Sequence, residues 1–326
     1  MADPAISVIV PVLDEQESIP ILYRELTAVL TALARPYEVI FVNDGSTDNT
    51  GAILDSLADC DFTVTVIHFR RNFGQTAALM AGIDLARGDT LIPIDGDLQN
   101  DPADIPRLLK CLDTGFDVVS GWRRTRHDHP IFRTLPSRVA NWLISAISGV
   151  PLHDYGCTLK AYRREVVTGV RLYGEMHRFI PIYAHMQGAR LTELAVNHRP
   201  RQFGGTKYGL GRIGKVLLDL LLVKFLAAYG AKPIYLFGGF GFVCLVASLV
   251  PMALSVFYKV MPEGSGWHKD LVETPLPAIA AVLVLVGFLA LLQGLVAEML
   301  MRTYFESQNK NTYVVRRIHR GNDSEH

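Results

Sequence analysis

Two stretches in the last third of the chain constrain its fold most. Ile234–Tyr258 runs for 25 residues without a charge, and Leu276–Ala297 for 22. At about 1.5 Å per residue, a helix of either length reaches across a hydrocarbon core of about 30 Å. Membrane helices are therefore expected at 233–258 and 276–300. Arg212, Lys215, Lys224 and Lys232 precede the first run, and Arg302, Lys310, Arg316, Arg317 and Arg320 follow the second. The loop 259–275 holds Lys259 and Lys269 against Glu263, Asp270 and Glu273. Lys and Arg gather on the cytoplasmic side of a membrane. Both termini, including the tail 301–326, are thus expected in the cytoplasm, with 259–275 outside. "MADPAISVIVPV" lacks a basic segment followed by a long apolar core, so no cleavable signal is expected. The chain reads as a multi-pass protein of the cytoplasmic membrane.

The part before the membrane runs must fold on its own, as a domain at 1–210 followed by an amphipathic stretch at 211–232. Short β-rich runs alternate with helical patterns. Strands are expected at Ile6–Val12, Tyr37–Asn43, Phe62–Phe69, Thr90–Ile94 and Asp117–Gly121. Helices are expected at Ser18–Ala34, Thr47–Leu57, Gln75–Arg87 and near Pro102–Thr114, with Ser18 a candidate N-cap. Another helical pattern covers Leu135–Ser148, and "RLTELAVNH" reads as a later strand. This alternation predicts an α/β fold with a mostly parallel sheet and helices on both faces. Gly211–Gly230 carries Leu, Ile and Val at helical spacing with Arg212, Lys215 and Lys224 between them. It reads either as a helix in the membrane interface or as an amphipathic helix on the domain surface.

Lys+Arg and Asp+Glu balance at 32 each, which gives no sign of nucleic-acid binding. Cys60, Cys111, Cys157 and Cys244 are scattered without a CxxC pair, so free thiols are expected and neither zinc nor a disulfide framework.

Parallel sheets bind ligands at the carboxyl ends of their strands. Acids cluster there. "LIPIDGDLQNDP" ends the fourth strand with Asp95 and Asp97. Side chains at i and i+2 of an extended segment point the same way, and Gly96 leaves room for a ligand between them. Paired carboxylates suit a hard cation such as Mg²⁺ or Mn²⁺ that keeps positions open for phosphate oxygens. The segment is no calcium-binding EF-hand loop, because Pro106 stands where the bidentate acid belongs. "VPVLDEQES" and "VNDGSTDNT" add acids at the first two strand ends, where Asp44-Gly45-Ser46 reads equally as a turn with a helix cap at Ser46, Thr47 or Asp48.

The ordered set "PVLDEQES", "VNDGSTDNT", "RNFGQTAAL", "DGDLQNDP", "DYGCTLKAYRR", "HRFIP" and "RQFGGTKYG" resembles the family 2 glycosyltransferases of GT-A fold that act on polyisoprenyl phosphates. These include dolichol-phosphate mannose synthases and bacterial undecaprenyl-phosphate sugar transferases. The resemblance runs from Ile6 to about Val315. It implies a Rossmann-like GT-A domain with amphipathic interfacial helices and two C-terminal membrane helices. It implies a nucleotide-sugar donor, a polyprenyl phosphate acceptor, contact with membrane lipid, and a homo-oligomer such as a tetramer.

The resemblance also implies residue roles. Asp95 and Asp97, with Gln99 as a third ligand, would hold Mg²⁺ or Mn²⁺ on the diphosphate. Pro11, Asp14, Glu15 and Asp44 would line the nucleoside pocket. Arg201, Lys207 and Tyr208 would clamp phosphates from a loop made pliant by Gly204, Gly205 and Gly209. Arg123, Arg124, Ser137 and Arg138 would hold the acceptor phosphate, Arg123 first because it directly follows the fifth strand. Asp154 would act as a catalytic base or as an orienting group. His177 and Arg178 would contact the sugar or support the site.

A phosphate monoester has its second pKa near about 6, so it is mostly dianionic at neutral pH and needs charge more than a base. In-line attack would invert the anomeric carbon. UDP-glucose is the first expectation for the donor, ahead of GDP-mannose, UDP-N-acetylhexosamine and a modified pentose. A processive polysaccharide synthase is disfavoured by the lack of Q-x-x-R-W, and an inactive membrane scaffold by the intact acidic pair.

Overall fold

The computed structural model describes residues 3–124, 141, 144–146, 148–168, 176–200, 202–203, 234–262, 267–307 and 314–320. The chain divides into two units, Met1–Lys224 with Asn311–His326, and Phe225–Lys310.

The first unit is built on an eight-stranded sheet. Its parallel heart is β3 (Val64–Phe69), β2 (Tyr37–Asn43), β1 (Ile6–Val12) and β4 (Thr90–Pro93), in that spatial order. Beyond β4 lie β6 (Lys160–Arg163), β5 (Val118–Trp122) and β7 (Leu191–Ala195); β6 runs antiparallel to both β4 and β5. At the opposite edge, β8 (Val315–Arg320) pairs antiparallel with β3.

Strands covered on both faces read as continuous apolar runs, and β1 shows why. Ile9, with Ile40 and Val42 of β2, packs into one core layer. Val8 and Val10, with Val39 and Phe41, pack into the other. Helix α3 (Gln75–Leu85) fills the first layer with Ala77 to Ala81. A Cβ on Gly82 would stand 2.3 Å from Ile9 Cγ2, so only glycine lets α3 lie this close to β1. Helix α1 (Ile19–Ala32) covers the other face through Ile19, Leu22, Leu26 and Leu30, a stripe at helical spacing, beside Ile105, Leu108, Leu109 and Leu112 of α4 (Ile105–Asp113).

The sheet order turns at β1 and β4, which is where such sheets take ligands. The loops after β1, β2 and β4 carry Asp14, Asp44 and Asp95.

Several expected boundaries shift. Helix α2 spans Thr50–Cys60 rather than starting at Thr47, because residues 46–49 are engaged with the loop after β1. Asp48 Oδ1 accepts the Thr50 N–H at 2.9 Å. Ser18 stands at the N-cap position of α1 but makes no capping bond: its backbone is already in the αR region, and its hydroxyl donates to Glu15 Oε2 at 2.7 Å. The helix near Pro102 opens as a 3₁₀ turn over Pro102–Asp104 before α4. Most of Leu135–Ser148 and all of 211–232 lie outside the described residues.

The second unit is a helical hairpin of α6 (Ile234–Val260) and α7 (Leu276–Ser307), both long and apolar enough to cross a membrane; α5 is the short helix Ile180–Met186 of the first unit. A Cβ on Gly241 would lie 2.7 Å from the Gly287 carbonyl, and one on Gly287 2.8 Å from that of Gly241. The two backbones thus meet at this glycine pair. Outward faces stay apolar: Phe242 and Leu249 are 65% and 64% exposed. An apolar surface of that kind suits lipid rather than water.

Candidate active site

The loops after β1 and β2 are laced together. Asp14, at a positive φ of 49°, offers Oδ1 to the Thr47 N–H at 2.8 Å. Its own N–H donates to Ser46 Oγ at 2.9 Å, and the Glu15 N–H donates to Thr50 Oγ1 at 2.9 Å. Asp14 is exposed, while Pro11 and Glu15 are half-buried. Asp44 is buried and accepts the N–H groups of Phe73 at 2.7 Å and Gly74 at 2.9 Å. Burial pushes its carboxyl above the ordinary range, against those two bonds. Asp44 therefore ties the loop after β2 to the start of α3. A Cβ on Gly45, at φ 73°, would meet the Arg71 carbonyl carbon at 2.5 Å, so the loop after β3 closes over this position.

The acidic pair after β4 is not arranged as an extended segment. The strand ends at Pro93, and Gly96 and Asp97 form a turn. Each carboxylate has its own support. Asp95 accepts Gln75 Nε2 at 2.8 Å and the Thr158 hydroxyl, with Asn100 Nδ2 at 3.5 Å. Asp97 Oδ1 accepts the Gln99 N–H at 3.1 Å, and Leu98 between them is fully buried at φ 62°. A buried non-glycine residue in that region stores strain of the kind that collects at ligand-binding loops. Gly96 has a packing role: a Cβ there would stand 2.9 Å from Val12 Cγ1.

Asp95, Asp97 and Gln99 are all half-buried oxygen donors, which fit Mg²⁺ or Mn²⁺. Among the described residues no three acids, histidines or cysteines converge. Burial raises the Asp95 carboxyl, and Arg123, Lys160 and Arg178 act against that rise. A bound cation would act in the same direction.

Beside Asp95 lies a second charged group. Arg123, just past β5, grips Asp154 with Nε at 2.7 Å from Oδ2 and Nη2 at 3.0 Å from Oδ1. The Gly156 N–H takes the same Oδ1 at 3.1 Å. The Asp154 side chain is 1% exposed and that of Arg123 19%. Against the effect of burial, the Asp154 carboxylate, with smaller help from Cys157 and Asp95, holds the guanidinium protonated. Arg123 Nη2 and Arg178 Nη1 both approach Gly156, at 3.1 and 3.9 Å from where a Cβ would stand. His177 is buried, with Nδ1 2.7 Å from Thr76 Oγ1. Arg124 is exposed. Ser137, Arg138, Arg201, Lys207 and Tyr208 lie outside the described residues.

Sequence reasoning gave no role to Gln75, Thr158 and Lys160. Lys160 is buried, and its amine donates to the carbonyls of Cys157 and Tyr155, fixing the turn that carries Asp154. Burial lowers its pKa, while Cys157, Asp154 and Asp95 oppose the fall. All three residues sit inside "RNFGQT" and "DYGCTLKAYRR", so the motifs marked them without saying which partner each takes.

Residues 7–170 match the family described as glycosyl transferase family 2. The chain belongs to that family. It is 38% identical over 317 residues to the dodecaprenyl-phosphate galacturonate synthase of Rhizobium johnstonii, covering 96% of this chain and 92% of the relative. It is 36% identical over 314 residues to the undecaprenyl-phosphate 4-deoxy-4-formamido-L-arabinose transferase of Pseudomonas fluorescens, covering 96% and 89%. The glucosyl-3-phosphoglycerate synthase of Mycobacterium tuberculosis, solved with Mn²⁺ and UDP-glucose, superposes with a TM-score of 0.53 at 19% identity, covering 68% of this chain and 79% of that one. That likeness places this family 2 glycosyltransferase on the GT-A fold.

Proposed function

We propose that this glycosyltransferase moves a sugar from a nucleotide donor to a polyprenyl phosphate at the membrane, with a divalent cation on the donor diphosphate and inversion at the anomeric carbon. The observation that carries this reading is that one turn, 154–158, engages both groups: Arg123 grips Asp154 and lies against Gly156, and Asp95 accepts the Thr158 hydroxyl. It sets an acidic loop beside a guanidinium held by Asp154. The loops around Asp14, Glu15 and Asp44 receive the nucleoside, and Asp95, Asp97 and Gln99 hold the cation. The cation, when bound, neutralises charge on the leaving diphosphate.

Arg123, clamped by Asp154, draws the acceptor phosphate toward the sugar. A phosphate oxygen attacks the anomeric carbon as the bond to the diphosphate breaks, and no proton need be removed. Asp154, with both oxygens engaged, orients Arg123 rather than taking a proton. The two named relatives favour a uronic acid or a modified pentose over glucose as the sugar.

The hairpin supports the membrane setting. β8, which follows it in the chain, joins the same sheet as β1 to β4, which precede it. Both ends of the hairpin thus return to one domain, as two crossings require. With the charge distribution, this supports a cytoplasmic catalytic domain, and a reporter inserted at Gly264 should be reached from outside.

The test uses purified full-length protein in detergent with undecaprenyl phosphate, Mn²⁺ and radiolabelled UDP-galacturonate, UDP-linked formamido-arabinose and UDP-glucose. Label should enter the lipid from one donor, and Asp97→Asn should abolish it. Nucleotide release that ignores the lipid would discard the acceptor, and full turnover by Asp97→Asn would discard the metal role.

A further inference from the structure

The loop after β2 is tied, through one histidine, to the last strand of the chain. Asn43 ends β2, and its Oδ1 accepts the Ser46 N–H at 2.9 Å. A backbone N–H only donates, so oxygen must face Ser46 and Nδ2 must face His68, whose Nδ1 stands at 3.2 Å. Amide Nδ2 also only donates, so His68 Nδ1 is the bare nitrogen. The ring proton then sits on Nε2, 2.9 Å from Asp55 Oδ1. Only the neutral Nε2–H imidazole satisfies both neighbours.

The other Asp55 oxygen takes Arg317 of β8, which lies opposite His68 in the strand register. The groups facing the ring from α2 and β8 are Asp55, Arg317 and His319, and His319 Nε2 is itself 2.8 Å from Asp59 Oδ1. Burial, Arg317 and His319 hold the imidazole below its ordinary value, against Asp55. At the far end, Ser46 Oγ accepts the Asp14 N–H, so the placement of Ser46 also places Asp14. A Cβ on Gly51 of α2 would press on Asn43 Nδ2 at 3.2 Å, so glycine leaves this line of contacts undisturbed.

We infer that Arg317 and His68 are positioning residues for the donor: the C-terminal strand keeps His68 in its neutral form, and that form holds Asn43, Ser46 and Asp14 in the donor-binding arrangement. The inference rests on the reading that the Asp14–Ser46 edge receives the nucleoside. An imidazolium would present a donor to Asn43. Asn43 would then turn its oxygen to the ring, and the Ser46 N–H would lose its acceptor.

The test is titration of the full-length protein with UDP and Mn²⁺ at pH 8 and pH 6, with the His68 ring followed by ¹⁵N NMR and assigned by His68→Gln. Wild type should show the Nε2–H tautomer and the same affinity at both pH values. Arg317→Gln keeps a donor for Asp55 but removes the charge. It should match wild type at pH 8, and at pH 6 weaken in proportion to the fraction of molecules in which the NMR titration shows the imidazolium. Arg317→Lys should restore the wild-type profile, which a merely structural strand contact would not predict.

A Nδ1–H tautomer in wild type would overturn the inference. So would Arg317→Gln binding that ignores pH while His68 titrates. A wild type that binds neither UDP nor GDP at either pH would overturn the donor reading and this inference with it.

Discussion

Asp154→Asn separates an orienting carboxylate from a catalytic base. In the native site its carboxylate accepts from Arg123 Nε at 2.7 Å, Arg123 Nη2 at 3.0 Å, the Gly156 N–H at 3.1 Å and the Arg123 backbone N–H at 3.3 Å. Asparagine offers one oxygen and turns an amide N–H₂ toward at least one of those donors. It also leaves the Arg123 charge without its counter-ion. Breaking one side of a buried pair costs about 3–5 kcal/mol. The 19% exposure of the Arg123 side chain favours the low end. Against a total stability of about 5–15 kcal/mol, the variant should fold with a lowered Tm.

Its catalytic loss should fall on the acceptor. A charge-assisted hydrogen bond to the acceptor phosphate is worth about 1.5–3 kcal/mol. That corresponds to a loss of about 10–150-fold in kcat/KM for the lipid. The donor KM should hold, because the bonds described for the donor loops do not involve Asp154. The assay is label transfer to undecaprenyl phosphate, with each substrate varied, between pH 6 and pH 9. If Asp154 acts through Arg123, the double variant Arg123→Ala/Asp154→Asn should be no slower than Arg123→Ala. An acidic limb in the wild-type profile that vanishes in Asp154→Asn, with acceptor KM unchanged, would make Asp154 a base and refute this reasoning.

Three further outcomes follow from the packing. Gly241→Val should lower Tm in detergent by the equivalent of about 1–3 kcal/mol of overpacking, while Gly239→Val, with nothing within 4 Å of its Cβ position, should not; equal melting would deny the glycine contact. Cys157 is buried with its thiol pushed up to about 11, and Cys60 is exposed, so iodoacetamide at pH 8 should label Cys60 and spare Cys157 in the folded protein. His68 has a folded pKa below its unfolded 6.5, so folding favours the neutral ring. Its contribution is present above pH 6.5 and lost as pH falls through 6.5 toward the folded value. Melting curves should show that loss in wild type and a flatter pH dependence in His68→Gln.

The readable part of this fold is the part set by local pattern. Buried parallel strands declare themselves as apolar runs, so β1 to β4 could be placed within a residue or two. Uncharged length likewise marked α6 and α7. β6 and β8 escaped because their pairings are non-local. β8 is "VRRIHR", which reads as a basic tail until β3 supplies its ladder and Asp55 and Asp59 its counter-charges. The site shows the same division. The motifs brought Asp95, Asp97, Arg123 and Asp154 forward by residue type, yet the partners of Asp95 come from α3 and from the turn before β6. The packing role of Gly96 was hidden for the same reason, since what fills its missing Cβ space is Val12 at the end of another strand.

The supporting contacts also bear on how the chemistry is divided. A nucleophile that is already an anion asks the protein for placed charge, and a removed proton would add nothing to its reactivity. The residues around Asp95 match that demand. Arg123, Lys160 and Arg178 supply three cationic side chains, and Asp95 and Asp154 two carboxylates, before any metal is bound. Burying so many charges is costly unless each is paired or hydrogen-bonded. Here Asp154 binds Arg123, and Lys160 donates to two carbonyls. A general base at Asp154 would have to give up its bonds to Arg123 each time it took a proton. The arrangement is therefore better suited to holding charge in place throughout the reaction than to passing protons.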